Sequence, residues 1–254
     1  MSMMNYIFVF LLVISKNVLG QDEALIGEHT NATYFVKQYT DIQGSLYSAL
    51  ENGYNTIRIA KGTYFMPRSL LISNDDTIIS GTTDTVLQLN NTKILGLAMF
   101  VLMGVSNVSI TNITFDGYNN ASQVSYELNG IAVVNVTSGI LENVKLNGFR
   151  NGIYINASTD INILNINISL SQYDGFLVRN STNVMLSNSS SCCNGRHGMN
   201  FFGNMTNVTI SSNVAFSHKT DSACAIRVAD ADNVLLEGNV LSTNEIGLCL
   251  KNLD

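Results

Sequence analysis

Apolar and polar positions in this chain alternate in a pattern that repeats. Six segments share a polar or glycine start followed by apolar residues at every second position. They begin at Asn107-Val108-Ser109-Ile110, Gly139-Ile140-Leu141, Asp160-Ile161-Asn162-Ile163, Asn183-Val184-Met185-Leu186, Asn207-Val208-Thr209-Ile210 and Asn233-Val234-Leu235-Leu236. The last three steps between them are 23, 24 and 26 residues. A second series runs in phase: Gly130-Ile131, Gly152-Ile153, Gly175-Phe176, Gly198-Met199, Ala225-Ile226 and Gly247-Leu248. Alternation with a period of two is the strand signal. Two short strands per fixed period predict the coils of an all-β solenoid, a parallel β-helix.

Upstream of the repeat the period changes. Between Asp41 and Gly53, apolar residues fall at 42, 46, 49 and 50, which is helical spacing closed by a glycine. The end of a stacked β-helix exposes apolar interior and unpaired backbone, so a helix over 41–55 is expected to cap it. Strands are predicted at Thr56–Ala60, Thr63–Phe65, Thr77–Ile79 and Thr85–Leu89. The expected organisation is a leader over 1–20, a polar segment over 21–40, the capping helix, and β-helix over 56–254. No cap pattern follows Gly247-Leu248-Cys249-Leu250, so the coil array reads as truncated there. The single proline, Pro67, precedes the regular coils, as a ladder that needs every N–H requires.

Composition narrows the setting. Charged residues make up 13% of the 254, against about 25% in ordinary domains. With a net charge of −6 and no basic run, nucleic acid is not an expected partner. The apolar run over residues 6–14 is shorter than the roughly 20 residues of a membrane span. Followed by Leu19-Gly20 ahead of Gln21, it reads as a secretory signal, so we expect a secreted monomer with no membrane partner. Asn-x-Ser/Thr occurs at Asn31, Asn90, Asn107, Asn112, Asn120, Asn135, Asn156, Asn167, Asn180, Asn188, Asn204 and Asn207. Some would carry glycans in a eukaryotic secretory pathway, but their recurrence with the coil marks most as turn formers. Cys192, Cys193, Cys224 and Cys249 lack metal-binding spacing and leave three disulfide pairings open.

In a strand beginning Gly-apolar, side chains alternate inward and outward. With Ile153 and Ile155 inward, Tyr154 and Asn156 point outward. We expect Tyr154, Arg179, Asn200 and Arg227 to form one outward ladder, at about 4.8 Å per layer. Asp174, Arg196 and His197 would stand at its rim, although Asp174 before Gly175 also suits a turn. Arg179 and Arg227 could equally pair with Asp230 or Asp232. Of Phe201 and Phe202, one should lie in the core and one outside. His218-Lys219 reads as a loop.

The stretch Cys193-Asn194-Gly195-Arg196-His197-Gly198-Met199-Asn200, followed by Thr206 to Ala215, resembles the catalytic module of secreted mannuronan C5-epimerases. Tyr173-Asp174-Gly175-Phe176 and Ile113-Thr114-Phe115-Asp116-Gly117 resemble other coils of that family, and the helix with Ile57–Tyr64 resembles the entry of pectate-lyase-like proteins. The resemblance spans roughly residues 40–254. It implies a right-handed single-stranded parallel β-helix acting on acidic polysaccharide. The departures fall on the chemistry. Where the family carries its catalytic Tyr, Asp and His, this chain has Asn151, Tyr154 and Asn156. A further family Asp is replaced by Arg179, and an earlier Lys and Asp pair by Gln123 and Ser125. Only Arg196 and His197 remain.

C5 epimerisation needs a base, an acid on the opposite sugar face, and a group that offsets the carboxylate charge. Candidate catalytic residues are Tyr154, Arg179 and His197; candidate binding residues are Asn156, Asp174, Arg196, Asn200 and Arg227. Asn156 cannot take a proton, so the expectation is a protein that binds uronate-containing polymer with weak or absent turnover. An active epimerase or lyase built on other residues, and a structural adhesive solenoid, are the alternatives. No cofactor or metal site is expected, and calcium bridged by substrate carboxylates stays open.

Overall fold

A computed structural model describes residues 33–36, 41–89, 96–119, 123 and 124, 128–218, 220 and 222–253. The expected leader and most of the expected polar segment over 21–40 lie outside the described residues. The chain winds into a parallel β-helix of about eight coils, each with three strands and three corners.

First-face strands are Leu70–Ile72, Ala98–Met103, Asn129–Val134, Ile153–Asn156, Phe176–Arg179, the leading halves of Met199–Ser211 and Cys224–Glu237, and Ile246–Leu253. The second face holds Thr33–Val36, Thr56–Ile59, Ile78–Ser80, Ser106–Thr111, Thr137–Glu142, Thr159–Leu164, Thr182–Ser187 and the trailing halves of the two long strands. The third face is built of short strands, from Gly62–Met66 to Val240–Ser242. Pairing between coils is parallel and in register. The antiparallel pair Tyr118–Asn119 with Gln123–Val124 is an excursion from one coil.

The Gly-apolar series places Ile131, Ile153, Phe176, Met199 and Ile226 in one inward column, each at most 1% exposed. Burying each such side chain contributes about 2 kcal/mol, so the column is a continuous source of stability along the axis. Small residues at the column's start let coils approach. A Cβ on Gly152 would stand 2.8 Å from the carbonyl oxygen of Gly175 in the next coil.

The helix forms at Ile42–Glu51, with Asp41 as N-cap accepting from Gly44 N at 3.2 Å. Ile42, Leu46, Ala49 and Leu50 enter the core. Gln43 Nε2 and Tyr47 Oη donate to the carbonyl of Ser69 at 3.2 and 3.0 Å, tying the helix to the first coils. One element was hidden by its polar neighbours. Thr33–Val36, inside the segment read only as polar, pairs with Thr56–Ile59. Its residues are β-branched or aromatic, the types that favour a pleated surface.

Corners are made by residues with positive φ. Twelve of the 22 non-glycine positive-φ residues among those described are asparagines, including Asn107, Asn112, Asn135, Asn180, Asn188, Asn204 and Asn207. Asparagine tolerates the left-handed region because its short amide bonds locally. The recurring sequons are thus largely corner residues. Cys224 and Cys249 form a disulfide across two coils, with Cα atoms 6.0 Å apart, while Cys192 and Cys193 are free thiols. Burial, then Cys193, pushes the Cys192 thiol up to about 12. Among the described residues no helix is long and apolar enough to cross a membrane.

Candidate functional site: an arginine wall on the first face

The site begins at the corner that leads into the first face. Backbone hydrogen bonds stack Arg150, Tyr173 and Arg196 in one column, with Tyr173 N donating to Arg150 O at 2.8 Å and Arg196 N to Tyr173 O at 3.0 Å. The following column is Asn129, Asn151, Asp174 and His197. Here each side chain serves the coil after it. Asn151 Oδ1 accepts from Asp174 N at 3.1 Å, Asp174 Oδ1 from His197 N at 3.1 Å, and His197 Nδ1 from Cys224 N at 2.9 Å.

Asp174 is wholly buried. Its carboxylate accepts from Arg196 Nε at 2.8 Å and also from Arg196 Nη2, from His197 N, and from Asn200 Nδ2 at 2.9 Å. A buried charge survives only when paired and hydrogen-bonded, and these donors meet that condition. The bond to Asp174 raises the Arg196 pKa against the opposing effect of burial. Asp174, expected as a binding residue, thus faces protein donors on Arg196, His197 and Asn200 and orients them. Asn200, 2% exposed, is likewise inside the wall.

His197 keeps its Nδ1 lone pair on a backbone N–H, so the neutral ring carries its proton on Nε2. Burial lowers its pKa; Asp174 opposes this, while Arg196 and Arg227 add to it. At neutral pH the ring is a hydrogen-bond donor. Acting as base would require the other tautomer and the loss of the Cys224 bond.

The register divides the expected single ladder into two. Tyr154, Leu177, Asn200, Arg227 and Cys249 are opposite one another, while Arg179 lies opposite Asn156 and Phe202 in the adjacent outward column. Arg179 is the fourth residue of its Phe176–Arg179 strand, whereas Tyr154 is the second of Ile153–Asn156, so the pleat sets them two positions apart. They still meet: the Arg179 guanidinium lies 5.4 Å from the Tyr154 ring centroid, and Arg179 Nε donates to Asn156 Oδ1 at 3.1 Å. Arg227 Nη1 donates to Asn200 Oδ1 at 2.9 Å and lies 5.4 Å from the Phe202 centroid. Asp174 thus orients Arg196 directly and Arg227 through Asn200. Phe201 is in the core and Phe202 half-buried outside, as expected. Tyr154 also packs on Ala98, Val101 and Ala132, which are buried on the outer side of this face.

Two contributors, Arg150 and Tyr173, were missed by the sequence reading. Arg150 and Arg196 flank the Tyr173 ring at 5.5 and 5.7 Å. Phe202 receives Arg227. The signal was present, since Arg150, Tyr173 and Arg196 each stand two residues before the glycine of the Gly-apolar series. His218, expected in a loop, is buried at an inner corner, where burial first and then His197 push its pKa down to about 4. Asp230 and Asp232 form no ion pair with Arg179 or Arg227; those two cations, and Arg150, make none among the described residues.

Four of the chain's six arginines therefore share one wall of an acidic protein. Asp174, the carboxylate of the wall among the described residues, is buried and held by four donors. Such an arrangement presents several guanidinium groups on one face, of a chemistry suited to anions. No group of three or more metal-ligating side chains occurs among the described residues. A separate groove of 480 Å³ on the second face, lined by Asn55, Asp76, Ile78, Asn107 and Ile140 among others, contains no cation.

No known family profile matches the sequence, and no curated protein matches it. Solved structures do. Pectate lyase Pel9A is 13% identical with a TM-score of 0.53, covering 90% of this chain and 79% of its own. The shared fold is the parallel β-helix. The Streptococcus pneumoniae surface adhesin PfbA is 13% identical with a TM-score of 0.53, over 84% of this β-helix and 72% of its own chain. The A-module of an Azotobacter vinelandii mannuronan C-5 epimerase is 15% identical with a TM-score of 0.49, over 82% and 74%. At these identities the β-helix likeness fixes architecture, and the residue roles rest on the wall itself.

Proposed function

We propose that this is a secreted β-helix that binds an acidic, uronate-containing polysaccharide along its first face and does not turn it over. One observation carries the reading: Arg150, Arg179 and Arg227 present charge with no neutralising partner among the described residues, while Asp174 is buried under four donors. Planar guanidinium edges suit carboxylates. Rings stacked against them restrict their side chains before the ligand arrives. Tyr154 and Arg179 hold ligand, and His197 donates from Nε2. The cross-coil disulfide and the apolar run over residues 6–14 support an oxidising, extracellular setting, with glycans on exposed sequons.

The test is affinity electrophoresis and calorimetry with polyuronates, beside proton NMR of the incubated polymer. Binding that weakens with salt is expected, as is a loss of about tenfold in affinity on Arg179→Ala, near 1.4 kcal/mol. No polyuronate binding at low salt would reject the reading in favour of an adhesive solenoid. New guluronate signals or unsaturated ends would reject the absence of turnover in favour of an epimerase or a lyase.

A further inference from the structure

The arginines are not scattered over the wall. In the coil of Ile153, Arg150 stands at the entry corner and Tyr154 on the outward strand. In the coil of Phe176 the order reverses, with Tyr173 at the corner and Arg179 on the strand. The coil of Met199 reverses it again, with Arg196 at the corner and Phe202 on the strand. In the coil of Ile226, Arg227 is on the strand and the corner residue is the buried Ala223. Each of the first three coils thus offers one guanidinium and one ring, and the sides exchange from coil to coil. The strand lane draws on both outward columns, Tyr154 and Arg227 in one and Arg179 and Phe202 in the other, and the cation–ring contacts bridge them. Arg150 and Arg196 lie 5.5 and 5.7 Å from Tyr173, Arg179 lies 5.4 Å from Tyr154, and Arg227 lies 5.4 Å from Phe202.

We infer that this checkerboard reads a homopolyuronate in an extended twofold ribbon, one sugar per coil over four coils. The inference rests on the polysaccharide reading above and deepens it. In a diequatorial 1,4-linked chain each pyranose is turned by half a rotation relative to the one before. Its carboxylate therefore appears on alternate edges of the ribbon. Such a sugar advances the chain by about the height of one coil, ~4.8 Å. Carboxylates would meet Arg150, Arg179, Arg196 and Arg227 in turn, while the opposite edge of three of the sugars meets Tyr154, Tyr173 or Phe202. The buried Asp174 holds the phase between the third and fourth cations, bonding Arg196 directly and reaching Arg227 through Asn200. A chain with a charge on alternate sugars leaves the cations of one lane unused. A diaxially linked polyuronate is buckled, and its carboxylates do not lie along the edges of a flat ribbon.

Calorimetry with β-1,4-linked oligoglucuronates of two to six sugars tests this, beside α-1,4-linked oligogalacturonates and hyaluronan fragments of equal length. Affinity should rise with each added sugar to four and then level off. At that length it should exceed both comparison series by about tenfold or more, a difference near 1.4 kcal/mol. Arg150→Ala, at an exposed end of the row, should move the plateau from four sugars to three while thermal unfolding is unchanged. Equal affinity for the three series, or a plateau unmoved by Arg150→Ala, would overturn the checkerboard and leave polyuronate binding standing. No binding of any series would remove both.

Discussion

The N-terminal and C-terminal coils solve the same corner problem differently. At each corner one residue turns inward just after the left-handed residue. In the earlier coils it is apolar: Val105 and Val136 at the first corner, Ile113, Val144 and Ile166 at the second, Phe149 at the third. In the later coils it mostly bonds, although Met205 and Ala231 keep the first corner apolar. Ser158 and Ser181, Ser189 and Asn213, and Asn194 and His218 each accept the backbone N–H of the same corner one coil earlier, at 2.9 to 3.3 Å. An apolar corner contributes by removing area from water; a polar corner contributes by satisfying a backbone donor that would otherwise be buried without a partner. The second kind also fixes the phase between coils, because a hydrogen bond has direction. The arginine wall spans coils from residue 150 to 227, mostly where corners have become polar. Ligand groups on separate coils need that fixed phase.

Four tests break or sharpen this contrast. Phe149→Ala empties the largest apolar corner and should cost about 4 kcal/mol by urea unfolding, since the surrounding coils cannot collapse onto the void. Asn213→Ala removes the acceptor for Ser189 N and the donor to Leu186 O, and should cost about 3 kcal/mol. If Asn213→Leu proves as stable as the parent, direction at that corner has no value and the contrast fails. The third test is pH. His218 is held near 4, below its ordinary value, so on acidification the unfolded chain takes up a proton that the folded one refuses. Stability should fall by about 2 kcal/mol between pH 6.5 and 4 and change little from this source below 4. His197, also lowered, adds to the slope. His218→Asn copies the acceptor used by Asn194 and Asn244 in the same column and should flatten it. The smallest effect, about 1 kcal/mol, is expected for Ser158→Val, which installs the earlier corner in a later coil and orphans Val136 N.

The wall was partly legible before folding. Arg196, His197, Arg179 and Arg227 could be located because the Gly-apolar series gives each outward residue an address. Arg150 and Tyr173 have addresses just as plain, but lie outside the strand pattern, so periodicity drew no attention to them. Asp174 could not be assigned from the chain. A carboxylate before a glycine serves a turn or a ligand equally well, and burial by residues 22 to 26 positions later decided between these and a third role.

What the sequence determined alone is the coil. A period of two inside a period of just over twenty residues can bury its apolar positions only by stacking, and the capping helix follows from the end this leaves. What only the tertiary structure decided is the company each polar residue keeps. Whether an arginine meets a ring, an amide or a carboxylate depends on register between coils more than twenty residues apart, and a shift of two positions along a strand exchanges one partner for another.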